Sequence, residues 1–68
     1  MRRFLLQRDH DVSGVSGTGV VAEGVQLTSG RVVMQWLGST PSIVFHESMD
    51  SVERIHGHGG HTWVNWID

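Results

Sequence analysis

The segment His56-Gly57-His58-Gly59-Gly60-His61 places three imidazoles within six residues, with glycines between them. Neutral imidazole is a common ligand for zinc, copper and nickel. An H-x-H-x2-H spacing can gather three nitrogens around one ion if the glycines let the chain fold tightly, and His46 and His10 could join them. His56, His58 and His61 are therefore the candidate ligands of a divalent metal such as zinc. No thiolate or carboxylate lies in the segment; the nearest carboxylates are Glu47 and Glu53. The plainer reading is a glycine-rich turn whose histidines are solvated and whose glycines serve backbone conformations with positive φ. On that reading, which the sequence favours, no cofactor is expected.

A second stretch, Asp9 to Gly19, reads DHDVSGVSGTG and contains the polar groups Asp11, Ser13, Ser16 and Thr18. Such composition favours a loop, since glycine permits positive φ and Ser and Asp bond locally to the backbone. Eleven residues is long for a connection in a small chain, which makes a binding role plausible. Either glycine-rich stretch could present successive N–H groups to an anion or nucleotide. Phosphate loops, however, run from a strand into a helix, and neither stretch does so. A hydrolase elbow needs G-x-S-x-G, and here Thr18 takes the last position after Gly14 and Ser16. No catalytic residue is expected.

Length and charge sharpen these exclusions. A chain of 68 residues makes one domain, residues 1–68, with little room for a catalytic cleft. It buries only about 60% of its unfolded surface, so a lone copy is marginally stable. Cysteine is absent, which excludes disulfide scaffolds and Cys-based zinc fingers. The five basic residues, Arg2, Arg3, Arg8, Arg31 and Arg54, are scattered, and seven acidic residues leave a net charge of −2. Nucleic acid is not an expected partner. No apolar run approaches a membrane span, and the apolar stretch Phe4-Leu5-Leu6 is too short for a signal peptide. A cytoplasmic location is the expectation.

The elements that must position these groups are mostly strands. Alternation runs through Phe4–Arg8, Val20–Leu27, Arg31–Leu37, Ser42–His46 and Thr62–Ile67. In the second of these, Val21, Glu23, Val25 and Leu27 share a face, with Glu23 awkward there and Gly24 the expected bulge that switches faces. Thr28-Ser29-Gly30 suits a hairpin connection with Gly30 in the left-handed region. Met49, Val52 and Ile55 recur every third residue and predict a short helix, started by Ser48 or Asp50 and ended by a left-handed Gly57. The expected fold is mainly β: a small five-stranded SH3-like barrel, or a strongly twisted antiparallel sheet, with one short helix before the last strand. Trp63 and Trp66 should point to opposite faces of the last strand, which leaves one exposed as an interface anchor or, equally, sets one in the interior and the other under a helix or loop.

The strings Asp11–Gly19, Val21-Ala22-Glu23-Gly24-Val25, Trp36-Leu37-Gly38 and Ile55–Gly60 resemble a set of small, functionally unassigned proteins of high-GC actinobacteria and their bacteriophages. The resemblance implies a compact stand-alone protein, with a phage gene as one source. It transfers no catalytic residue. The residues themselves favour a non-enzymatic interaction module with a protein partner, a second copy of the chain included. Asp11, Ser13, Ser16, Thr18, Trp63 and Trp66 are its candidate binding residues. The alternative is a small-ligand protein using His56–His61 for a divalent metal or an anion.

Overall fold

A computed structural model describes residues 1–9 and 18–68, without the side chain of His58. Five strands, β1 (Arg2–Arg8), β2 (Gly19–Gln26), β3 (Val32–Trp36), β4 (Ile43–His46) and β5 (Thr62–Trp66), form one antiparallel sheet. The helix α1 (Met49–His56) precedes β5, followed by a single 3₁₀ turn at His58–Gly60. The hydrogen-bonded order β4-β3-β2-β1-β5 leaves β4 and β5 as edges. The sheet is not closed, so it fits the twisted sheet as well as the barrel. The observed strand ends differ from the expected ones by one or two residues.

Alternation decides what lies under the helix. Phe4, Leu6 and Arg8 of β1 face inward with Val32 and Met34 of β3, and Val52 of α1 closes over them. Trp36, Val44, Met49, Val64 and Trp66 pack around this cluster. Phe4 and Trp66 meet edge to face with centroids 5.6 Å apart, and the Arg2 guanidinium sits 4.0 Å over the Trp66 ring. A cation over an aromatic face is favourable, so Arg2 caps the indole from the solvent side.

Two expectations about faces are corrected. The break in β2 pairing falls at Val21, where the register passes from Leu6–Ala22 to Gln7–Val20, and not at Gly24. The extra residue lets neighbouring Val21 and Ala22 both be buried. Glu23 then faces solvent with Val25 on the opposite side of the sheet, and its charge is no longer awkward. Gly24 has a different purpose: a Cβ there would lie 2.6 Å from Phe4 Cζ and 2.6 Å from the Val33 carbonyl oxygen. The aromatic ring therefore packs directly on β2 backbone.

Turn and helix chemistry follow the same logic. Gly30, at φ 94°, closes the β2–β3 hairpin, with its N–H donating to Leu27 O and Leu27 N–H to Arg31 O. Ser48 caps α1, its Oγ accepting from Ser51 N–H at 3.2 Å. Ile55 is 59% exposed and not part of the buried stripe. At 100° per residue, His56 is the position that returns to the Met49–Val52 face, and it is half-buried. Gly57 is right-handed at φ −68° and donates to Glu53 O; the left-handed residues come later, Gly59 at 66° and Gly60 at 96°.

At the other end of the sheet, Arg3 grips Asp68 through Nε and Nη2, the shortest contact being 2.7 Å, and its N–H donates to the same carboxylate. These hydrogen bonds hold the Asp68 carboxyl below its ordinary pKa and raise that of Arg3. A carboxyl depressed on folding stabilises above its unfolded pKa and loses that contribution as pH falls through the folded value. Carbon-13 titration of Asp68 should give a midpoint below about 3.9, rising toward it in Arg3→Gln. Gly24→Ala should lower stability by about 1–3 kcal/mol in urea unfolding, because neither the Phe4 ring nor the Val33 carbonyl can retreat freely.

Candidate functional site

The two glycine-rich stretches are joined at their roots. Arg8, the last residue of β1, lies between Thr62 of β5 and Gly19 of β2. One residue on, Asp9 N–H donates to His61 O at 3.0 Å, while His61 Nδ1 stands 3.1 Å from Asp9 Oδ1. The chain thus leaves the sheet toward residue 10 beside the point where the histidine segment enters it. Asp11, Ser13 and Ser16, expected as binding groups, lie outside the described residues, as does His10. Thr18 is exposed at the return of that loop.

Below this clasp lies a buried cation. Arg8 is 3% exposed, and its Nε donates to Thr62 Oγ1 at 2.9 Å. A buried guanidinium needs its N–H groups satisfied, and Thr62 takes one of them within the core. The turn beside it is tied by Gly57 O, which accepts from Gly60 N–H at 3.0 Å and from Thr62 N–H at 3.1 Å.

The histidines divide between two places. His61 is held at the clasp by Asp9. His56, at the end of α1, turns instead to His46 of β4, with the two Nε2 atoms 3.4 Å apart. The Trp36 ring meets His56 edge to face, centroids 5.0 Å apart, and His46 and His56 stand nearly perpendicular at 5.3 Å. Among the described residues, no group of three or more His, Asp or Glu side chains is placed to hold a metal ion.

The tryptophans divide as the alternation implies. Trp66 packs against Phe4, whereas Trp63 is 43% exposed on the opposite face. Among the described residues, no helix covers that face. Across it run Arg3, Val25, Val33 and Phe45 in one row and Asn65, Leu5, Glu23, Gln35 and Ile43 in the next. Phe45 is 77% exposed and Ile43 59%, and Ile67 is exposed as well. A hollow of about 280 Å³ opens among Arg3, Leu5, Glu23, Val25 and Ile67. Sequence reasoning missed this surface and the burial of Arg8, although period-2 spacing with Phe4 and Leu6 marks Arg8 as inward.

Comparison with known proteins gives one match. The family described as Acb5 phage protein covers residues 1–68, and the chain belongs to it. The expected phage connection therefore holds. Searches of curated proteins and of solved structures returned no match. Among the described residues, no helix is long and apolar enough to cross a membrane.

Thr62→Val should remove the hydroxyl acceptor of the buried Arg8 Nε–H and lower stability by about 1–3 kcal/mol, read from the urea midpoint. Thr62→Ser, which keeps the acceptor, should recover most of that loss.

Proposed function

We propose that this member of the Acb5 phage protein family is a non-enzymatic binding module whose uncovered sheet face holds a second copy of the chain. The observation that carries this reading is the exposure of Phe45, Ile43, Trp63 and Ile67 on a face that α1 does not cover. A sheet with apolar residues on both sides calls for a layer on each, and α1 supplies only one. Packing two such faces together gives helix, sheet, sheet, helix, the arrangement that buries both. Isologous pairing about a two-fold axis also suits the polar content of the face. Glu23 and the Arg3–Asp68 ion pair flank the same hollow, so the face carries charges of both signs. The absence of lysine beside five arginines fits a gene of high GC content, and with it an actinobacterial host.

A second reading rests on the joined loop roots. The Asp9–His61 clasp joins the roots of two glycine-rich stretches over buried Arg8, and backbone N–H groups of such stretches suit a small anion. It keeps the His56–His61 segment as a ligand-binding element and differs from the first in the surface used.

Sedimentation equilibrium of the full chain tests the first reading. The wild type should sediment as a dimer at micromolar concentration, and Phe45→Glu, on an already exposed position, should sediment as a folded monomer. A monomeric wild type at 100 μM would overturn the pairing. Phosphate titration followed by amide shifts at Gly57–Thr62 examines the second reading separately.

A further inference from the structure

We propose that His46 and His56 form a binding site for a divalent transition-metal ion of the zinc class, distinct from the His56–His58–His61 set that sequence spacing suggests. Zinc binds imidazole nitrogen at about 2.05 Å with tetrahedral angles, so two histidine nitrogens on one ion stand about 3.3 Å apart. The His46 and His56 Nε2 atoms are 3.4 Å apart. They come from elements the fold fixes independently: His46 from the end of β4 and His56 from the last turn of α1.

The surroundings hold the pair in place. His46 and Val32 are paired across β3 and β4, with Val32 buried. Trp36 presses edge to face on His56, which limits rotation of that ring. Both histidines are half-buried, so metal binding would not require full dehydration of a core. Among the described residues, the pair supplies two of the four positions of a tetrahedral ion.

The competing account of the same 3.4 Å separation is an N–H···N hydrogen bond between imidazoles of opposite tautomer. Metal and hydrogen bond place different demands on the nitrogens. Zinc needs the lone pair of both Nε2 atoms, whereas the hydrogen bond needs a proton on one of them.

The test uses the full-length chain, stripped with chelator and titrated with zinc chloride. Native mass spectrometry and calorimetry should show one zinc per chain, with affinity at least tenfold weaker in His46→Gln and in His56→Gln and unchanged in His61→Gln. Nitrogen-15 spectra of the wild-type imidazoles supply a readout that does not depend on the variants folding. Zinc should shift the Nε2 signals of both His46 and His56 and leave both Nδ1 protonated. No stoichiometric zinc, or zinc binding insensitive to His46→Gln, would overturn the site. Unmoved His46 Nε2 in the wild-type spectrum would overturn it equally.

Discussion

Among the described residues, one eight-residue α-helix has to serve a five-stranded sheet, and that mismatch governs the molecule. Val52 and Met49 cover a core centred on Phe4, Leu6, Val32 and Met34. The reach of the helix ends there. Burial of each large apolar side chain contributes about 1.5–3 kcal/mol, so residues left outside the helix footprint represent unused stabilisation. Among the exposed large apolar residues, Phe45, Ile43, Trp63 and Ile67 lie on the face that α1 does not cover.

Close backbone approach is what makes so thin a core possible. The Phe4 ring lies on Gly24, where a Cβ has no space, and reaches Trp66 on the neighbouring strand. The bulge at Val21 adds a further inward side chain to β2, beside Ala22. At the end of the sheet the core turns polar: Arg8 and Thr62 occupy inward positions that apolar residues hold elsewhere. There the loop roots, the Asp9–His61 clasp and the helix-to-strand turn come together. Polar chemistry is therefore gathered at one end of the sheet, and apolar surface spread over its outer face.

Much of this was legible in the residues. Period-2 alternation placed all five strands, Gly30 marked the hairpin, and the opposed directions of Trp63 and Trp66 followed from their spacing. The failures have local causes. A three-residue repeat suggested Ile55 as a core residue, but an α-helix turns 100° per residue and brings His56 round to that side. Gly57 looked like a left-handed stop because it follows the stripe, whereas the chain continues through one right-handed residue before reversing at Gly59 and Gly60. His46 could be set beside the whole histidine segment, but no local signal singled out His56 as its partner, since that contact joins a strand to a helix ten residues later. The bare face was hidden for a related reason: alternation tells which residues share a side, not whether anything covers it.

Solvent paramagnetic relaxation of the wild-type protein addresses that last point most directly. With a soluble paramagnetic agent at high protein concentration, the methyl and ring protons of Val25, Val33, Ile43 and Phe45 should relax slowly, while Asp50, Glu53 and Ile55 on the outer side of α1 relax fast. Equal, rapid relaxation on both surfaces would mean that nothing sits on the sheet, and the account built on its uncovered face would be wrong.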